Sequence, residues 1–121
     1  MKKKILVIDD EPEIVETLAE LLREENYQVS TAISGEEGLK RLAKEKPDLI
    51  LLDIRMPDWD GRKLLARIKG TEETSSIPVI MLTAVTDTKS ILDSQDKRAS
   101  DYIMKPFNSE QLLRQIRRYI G

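Results

Sequence analysis

The amino-acid sequence predicts a single α/β domain in which helices cover both faces of a doubly wound, five-stranded parallel sheet with strand order 2-1-3-4-5. Three observations predict this fold class. Short aliphatic runs alternate with helical patterns, most of the runs are apolar on both faces, and the connections between them are short. Crossovers in such sheets are right-handed, and this order is the common one for five strands, with its topological switch point between strands 1 and 3.

Five runs are predicted as strands because they are short, largely aliphatic, and bounded by charged, Gly, Pro or hydroxyl residues. They cover residues 5–8, 29–32, 49–52, 79–82 and 102–104. The fifth run is the shortest. It stops at Lys105 and Pro106, where the proline ring removes a donor from the ladder.

Helical patterns fill the intervals between the strands. Pro12 suits the first turn of the first helix, and Ser34 with Glu37 forms a capping box for the second. Asp60 can cap the third helix, and the last begins near Asn108. Apolar residues recur at helical spacing within these four segments: Ile14, Leu18, Leu21, Leu22, Leu39, Leu42, Ala43, Leu64, Leu65, Ile68, Leu112 and Ile116.

A further helix is predicted over residues 87–98, where the pattern is weakest. Ile91 and Leu92 are nearly its only large apolar residues. We expect this segment to be the loosest element of the fold, because it has little apolar surface to bury.

Composition limits the chemistry that the chain can perform. Its 121 residues predict one domain spanning residues 1–121, and 40% hydrophobic residues supply a core without disulfides. The absence of Cys and His excludes thiol nucleophiles, Ser-His-Asp triads and the usual zinc and haem ligands. A net charge of −2 creates no cationic field for nucleic acid, which is therefore not an expected partner.

The N-terminus resembles a secretory signal only in its first residues. Three lysines precede an apolar run over residues 5–8. This run is shorter than the ~7 to 15 residues of a signal core and the ~20 of a spanning helix. We expect a cytoplasmic protein that does not bind membranes. Because the last helix ends at Gly121, we expect either a single-domain protein or one domain of a longer one.

Polar side chains stand at the carboxyl ends of four of the five strands. Asp9 and Asp10 follow strand 1, Asp53 follows strand 3, Thr83 follows strand 4 and Lys105 follows strand 5. Ligands of such sheets bind at this edge. A like-charge pair ~4 Å apart costs on the order of 4 kcal/mol at an effective dielectric of 20, so the carboxylates require positive charge. Lys105 supplies one such charge, and an all-oxygen ligand set favours Mg²⁺ or Mn²⁺ as the other.

These residues predict chemistry on phosphorus. The Asp53 carboxylate is ionised at neutral pH, so it can attack phosphorus without a general base and form an acyl phosphate. Phosphoryl transfer mainly requires positioning and neutralisation of the phosphoryl oxygens. A cation held by Asp9, Asp10 and Asp53, together with Lys105, Thr83 and main-chain N–H groups, meets that requirement.

Four motifs follow strands 1, 3, 4 and 5 in order: Asp9-Asp10-Glu11-Pro12, Asp53-Ile54-Arg55-Met56-Pro57 with Asp60-Gly61, Thr83-Ala84, and Asp101-Tyr102-Ile103-Met104-Lys105-Pro106-Phe107. In these motifs and their spacings the chain resembles the receiver domain of two-component response regulators, over essentially its whole length. The resemblance implies a flavodoxin-like fold of five βα units. It also implies a phosphorylation-driven signalling switch rather than an enzyme that acts on free substrates.

The resemblance further implies a role for each site residue. Asp53 accepts a phosphoryl group from a histidine kinase or a phosphotransfer protein, and the domain promotes both this transfer and hydrolysis from its own Asp53. Asp10, Asp53 and the main-chain carbonyl of Arg55 are implied ligands of Mg²⁺. Asp9 holds the ion mainly through water.

The remaining implied roles concern the signal. Thr83 and Lys105 bind the phosphoryl oxygens, and the Lys105–Pro106 peptide bond is cis. Thr83 moves toward the phosphoryl group and Tyr102 turns inward as an aromatic switch. The face made by the predicted helix 87–98, the fifth strand and the last helix is thereby remodelled for a downstream protein target or an activation-dependent dimer.

Several residues keep an alternative interpretation. From its position alone, Tyr102 is interpreted as an ordinary aromatic residue of an edge strand. Ala84 either only fills space or, being small, leaves room for a phosphoryl group. Arg55 and Val85 stand where side chains shield or admit attacking water, so they would tune the lifetime of the phosphoryl group in a direction that remains open. Trp59 is compatible with packing beneath its loop or with an exposed contact.

The basic stretch of the last helix is typical of a solvated face near a helix C-terminus and is also compatible with a partner contact. It comprises Arg114, Arg117 and Arg118. The chain departs from the family at Arg98, where glycine is more usual. This departure lies beside the signalling face, not at the phosphorylation site.

Three rival functions remain to be weighed. A degenerate receiver used only for interaction would lack Asp53, Lys105 or the acidic pair, and none is missing. A small phosphatase with an aspartyl nucleophile usually carries an acidic residue two positions on, where this chain has Arg55. A flavodoxin-like electron carrier must cradle a phosphate in its first loop, which the acidic residues 9–11 would repel.

Overall fold

A computed structural model of the chain describes residues 2–84 and 98–121. Val85 and almost all of the predicted helix 87–98, including Ile91 and Leu92, lie outside the described residues. Arg98 itself lies in a turn.

The described residues form five strands and four helices. In chain order these are β1 (Lys4–Ile8), α1 (Pro12–Glu24), β2 (Gln28–Ala32), α2 (Gly35–Lys44), β3 (Leu49–Asp53), α3 (Gly61–Gly70), β4 (Val79–Ala84), β5 (Asp101–Lys105) and α4 (Ser109–Ile120). Each of the five predicted strands and four of the five predicted helices is therefore confirmed. β5 extends one residue beyond the prediction at each end, because all five of its residues pair with β4.

The strands form one parallel sheet in the order β2-β1-β3-β4-β5, as predicted. In this register Ile8 stands opposite both Ala32 and Leu52, and Lys105 stands opposite Ala84. The carboxyl ends of neighbouring strands therefore meet at the same edge of the sheet. This edge carries the polar residues that the sequence singled out.

Each face of the sheet buries its own hydrophobic core, which explains why the central strands are continuous apolar runs. Ile5 and Val7 point into one cluster with residues of α1 and α4. Leu6 and Ile8 point into the other with residues of α3. Because successive residues of a strand face opposite sides, a strand covered on both sides needs an apolar residue at every position.

The predicted helix caps are present. Ser34 Oγ accepts the N–H of Glu37 at 3.1 Å, and the Asp60 carboxylate accepts the N–H of Arg62 at 2.8 Å. Asn108 caps α4 in the same way. α1 differs, since its N-cap residue Glu11 makes no side-chain cap hydrogen bond. The side chain of Glu11 has another partner, described below.

Gly61 allows α3 to begin directly against the end of β3. Its N–H donates to the Ile54 carbonyl at 2.7 Å. A Cβ at this position would lie 2.4 Å from the main-chain oxygen of Asp53 and 2.6 Å from Ile54 Cα. Both neighbours are backbone atoms, so they cannot turn aside as a flexible side chain would. The loop that carries Asp53 therefore depends on a glycine here.

We expect Gly61→Ala to lower the free energy of unfolding by about 1 to 3 kcal/mol, the usual cost of overpacking, measured by urea denaturation. Gly70→Ala is the matched control, because a Cβ there meets nothing within 4 Å. Alanine is favoured over glycine in a helix, so the control should leave stability unchanged or raise it by roughly 0.5 to 1 kcal/mol. Equal stabilities of the two variants would contradict the close approach at Gly61.

Candidate functional site

The ammonium of Lys105 lies at the centre of the predicted site. Its Nζ is 2.7 Å from Asp9 Oδ2, 3.2 Å from Glu11 Oε1 and 3.6 Å from Asp53 Oδ1. The Lys105 side chain is only 10% exposed. The following peptide bond, to Pro106, is cis, as the resemblance implies. One cation is thus shared by three carboxylates, two from the loop after β1 and one from the end of β3.

The carboxylates of this site are crowded, and two of the four are buried. Asp9, Asp10, Glu11 and Asp53 each offer an oxygen, and these oxygens all lie within 4.8 Å of one another. Asp9 is completely buried and Asp53 is 5% exposed. A set of carboxylate oxygens with no nitrogen or sulfur ligand is the environment that hard divalent cations prefer.

The two carboxylate oxygens of Asp9 differ in their contacts. Its Oδ1 accepts the N–H of Glu11 at 3.0 Å. Its Oδ2 is buried, forms an ion pair with the Lys105 ammonium at 2.7 Å, and has no further hydrogen-bond partner within residues 2–84 and 98–121. A buried oxygen that lacks a hydrogen bond is costly, and a bound cation or a water held by one would satisfy it.

Burial raises the pKa of Asp53 to about 7, and the negative charge of Asp9 and a hydrogen bond with Asp10 act in the same direction. Lys105 and the Arg55 N–H oppose this rise without cancelling it. Without a metal, these surroundings therefore favour the protonated form of Asp53 more than water does. A nearby divalent cation would favour the carboxylate, the form that can attack phosphorus.

The pKa of Lys105 is also raised, which for a lysine favours the charged form. Burial alone would lower the pKa of its ammonium, but contact with Asp9, the charges of Asp9 and Asp53, and the hydrogen bond to Glu11 raise it overall. The side chain is therefore a permanent cation at neutral pH.

Thr83 and Ala84 end β4 next to this cluster. Asp53 pairs with Leu82, so Thr83 is one residue beyond the level of Asp53 on the neighbouring strand. The hydroxyl of Thr83 is buried and donates to the Ala84 carbonyl at 3.2 Å. The described contacts thus bring together the acidic residues and Lys105, with Thr83 at the adjoining strand end.

Tyr102 lies on β5 opposite Met81 and is half-buried. Its ring packs against the cluster on the α3 side of the sheet. Its carbonyl accepts a hydrogen bond from Gln115 Nε2 at 3.3 Å. The aromatic side chain is thus part of the β5 edge rather than of the acidic cluster itself.

Trp59 is half-buried and packs against α2. Its side chain lies so close to Gly35 that a Cβ added there would be 2.6 Å from its atoms. Arg55 is exposed, and its N–H approaches Asp53 Oδ1 at 3.4 Å. Trp59 is therefore packed against Gly35 and partly exposed, and a contact with a partner stays a prediction.

The basic residues of the last helix are exposed, and two of them form ion pairs. Arg117 contacts Glu25 at 3.1 Å, and Arg118 contacts Asp101 at 3.8 Å. Exposed pairs of this kind contribute little to stability. Their presence indicates a solvated face, as the first of the two sequence interpretations expects.

Glu11 is the site residue to which the sequence assigned no role. It belongs to the acidic motif after β1, but an acidic residue next to Pro12 is also typical of a helix N-terminus. The structure turns its side chain away from α1 toward Lys105. Its position directly after Asp9 and Asp10 is the feature of the sequence from which a place in the acidic cluster could have been predicted.

Comparison with known proteins agrees with this geometry. The sequence profile of the response regulator receiver domain matches residues 5–117. The chain belongs to this family. Membership disfavours the phosphatase and electron-carrier alternatives, while the degenerate receiver is distinguished below by experiment.

Individual relatives are moderately similar. The DNA-binding response regulator MtrA of Mycolicibacterium smegmatis is 34% identical over 117 residues, which cover 97% of this chain and 50% of MtrA. The receiver domain thus spans about half the length of the curated relatives that it matches.

Solved structures show the same fold, which is the flavodoxin-like fold of CheY. The chemotaxis response regulator CheY4 of Vibrio cholerae is 28% identical with a TM-score of 0.89, covering 98% of this chain and 99% of CheY4. The receiver domain of the sensor histidine kinase PA1611 from Pseudomonas aeruginosa, which has a magnesium ion coordinated in its active-site cleft, is 29% identical with a TM-score of 0.87. That match covers 100% of this chain and 99% of the PA1611 domain.

The part of the chain that the structure describes contains no helix that is both long and apolar enough to span a membrane.

Lys105→Met should lower the free energy of unfolding by about 3 to 5 kcal/mol in metal-free buffer, because it leaves buried carboxylates without their cation. Urea denaturation in the presence of a chelator measures this loss. Lys63→Met removes the same charge from an exposed position on α3 and should have little effect. If both variants were equally stable, the proposed charge balance would be wrong.

Proposed function

We propose that this receiver domain is a phosphorylation-activated switch of a two-component system and that Asp53 is its phosphoacceptor. The observation that carries the proposal is the Lys105 ammonium shared by Asp9, Glu11 and Asp53 at 2.7, 3.2 and 3.6 Å. A sensor histidine kinase or a phosphotransfer protein supplies the phosphoryl group. Residues 1–121 act as one domain, located in the cytoplasm, and the domain itself binds neither nucleic acid nor a membrane.

In the transfer step an oxygen of the Asp53 carboxylate attacks phosphorus. The bond between phosphorus and the donor histidine nitrogen breaks, and its electron pair stays on that nitrogen. Lys105 and Thr83 bind the phosphoryl oxygens and counter their charge. The same groups support attack of water on the acyl phosphate, so the domain promotes its own dephosphorylation but has no other catalytic activity.

The acidic residues fit a magnesium ion, with manganese as a substitute. Asp10, Asp53 and the Arg55 carbonyl would hold it, and Asp9 would act mainly through water. The unsatisfied Asp9 Oδ2 and the all-oxygen donor set support this assignment. When bound, the ion would neutralise charge on the carboxylates and on the incoming phosphoryl group.

The signal leaves the site through Thr83 and Tyr102. Movement of the Thr83 hydroxyl toward a phosphoryl group would open space on the β4 side, into which the Tyr102 ring turns. The affected face comprises β5, α4 and the predicted helix 87–98. On β5 it presents Met104, which is 45% exposed. A downstream protein target, or a second copy after activation, would bind there.

Incubation with Mg²⁺ and acetyl phosphate should add about 80 Da, the mass of one phosphoryl group, to the wild-type protein. The adduct should survive acid and be removed by hydroxylamine, as expected of an acyl phosphate. Asp53→Asn should show no mass change, whereas Asp48→Asn, an equivalent replacement at the opposite end of β3, should react like the wild type. Phosphorylation of Asp53→Asn, or none of the wild type, would contradict the proposal and favour a degenerate receiver.

Asp10→Asn should weaken Mg²⁺ binding and at the same time stabilise the metal-free fold by about 1 kcal/mol, because it removes one of several repelling charges from a half-buried position. Thermal melts with a chelator and with saturating Mg²⁺ measure both effects. The melting temperature should rise without metal, and the increase on adding Mg²⁺ should shrink. Glu20→Gln on the exposed face of α1 is the control, and a metal-free melting temperature below that of the control would contradict the charge argument.

A further inference from the structure

A cleft of about 630 Å³ adjoins the acidic cluster at the carboxyl edge of the sheet. It begins at Asp10 and Arg55 and extends along the loop between β3 and α3, where Met56, Trp59 and Arg62 line it. Asp10 belongs both to this cleft and to the group of carboxylate oxygens around Asp53. The cleft therefore opens next to the atom that would attack phosphorus, and it is much larger than a phosphoryl group.

The loop that forms one wall of the cleft is anchored to α2. The two carboxylate oxygens of Asp58 accept the N–H groups of Gly35 and Glu36 at 3.1 and 3.0 Å. Trp59, the next residue, lies so close to Gly35 that a Cβ there would be 2.6 Å from three of its side-chain atoms. The helix N-terminus thus binds the loop, and the glycine lets the indole lie against the helix. Trp59 is a preorganised aromatic surface rather than a loose side chain.

The lining of the cleft carries charges of both signs, so charge does not select among donors. Arg55 and Arg62 contribute guanidinium groups, and Asp10, Asp58 and Asp60 contribute carboxylates. The Asp58 carboxylate on the same wall is already engaged with the N-terminus of α2, which offsets its charge. These charges act on any phosphorylated small molecule alike. Selectivity between donors must therefore come from Trp59 and Met56, which offer an apolar, aromatic surface.

We propose that this cleft receives the leaving group of the phosphodonor and that Trp59 favours planar aromatic leaving groups, of which imidazole is the type. The inference rests on the proposed function, because it takes Asp53 as the acceptor. Asp53 attacks phosphorus and the phosphorus–nitrogen bond breaks. The electron pair remains on that nitrogen while the other ring nitrogen already carries a proton. The ring leaves as neutral imidazole and stacks on the indole.

The test compares two donors that differ in their leaving group. Phosphoimidazole releases an aromatic ring, and acetyl phosphate releases a small carboxylate. The second-order rate constant for phosphorylation of Asp53 is measured with each donor at saturating Mg²⁺ by intact-protein mass. Stacking between aromatic groups contributes a few-fold to tenfold in affinity, so Trp59→Leu should slow the reaction with phosphoimidazole by roughly three- to tenfold. The reaction with acetyl phosphate should change by less than about twofold, since its leaving group cannot stack.

Trp59→Phe provides the matched control, because it keeps a ring at the same position. It should recover most of the rate with phosphoimidazole, and thermal melts show that each variant is folded. An equal loss of rate with both donors would mean that Trp59 only supports the loop, and no loss with either would mean that it does not contact the leaving group. Either result overturns the inference while leaving phosphorylation of Asp53 intact. Failure of the wild type to react with any donor would instead overturn the proposed function.

Discussion

The structure of the site depends on electrostatic repulsion between carboxylates that the fold forces together. A parallel sheet brings the carboxyl ends of its strands to one edge, and this chain has acidic residues at two of those ends. Asp9 and Asp53 are both buried, so their charges are poorly screened. Lys105, reaching the same point from β5, is what makes the arrangement tolerable. Burial, together with the charge of Asp9, raises the pKa of Asp53 to about 7 although Lys105 acts to lower it.

The surrounding fold keeps these charges in position through close backbone contacts. Gly61 lets α3 start against the carbonyl of Asp53, and Gly35 lets the loop after β3 lie on α2 through Trp59. The two glycines are needed for close approach rather than for an unusual backbone angle, since neither has a positive φ. The loop that follows Asp53 is therefore held at both ends by helices that pack on the same face of the sheet.

Most of the fold followed from local patterns in the sequence. Apolar strands, Ser34 and Asp60 as caps, and the acidic and basic residues at strand ends are all visible in short windows, and the strand order follows from general rules of parallel sheets. What the sequence did not reveal are contacts between distant segments that several side chains could have satisfied. Glu11 could have capped its own helix and instead reaches Lys105, 94 residues away. Asp58 could have been a simple turn residue and instead binds the N-terminus of α2, 22 and 23 residues away.

The three carboxylate partners of Lys105 are not equivalent, and the difference matters for a switch. Separation from Asp9 would leave a fully buried charge without compensation, which is costly. Separation from Glu11 costs little, because its side chain is 58% exposed and water can replace the ammonium. A phosphoryl group on Asp53 would add negative charge next to the third partner, already 3.6 Å away. The ammonium can therefore turn toward new charge on Asp53 by giving up Glu11 while keeping Asp9, so the response requires a change of one exposed contact rather than a rearrangement of the buried core.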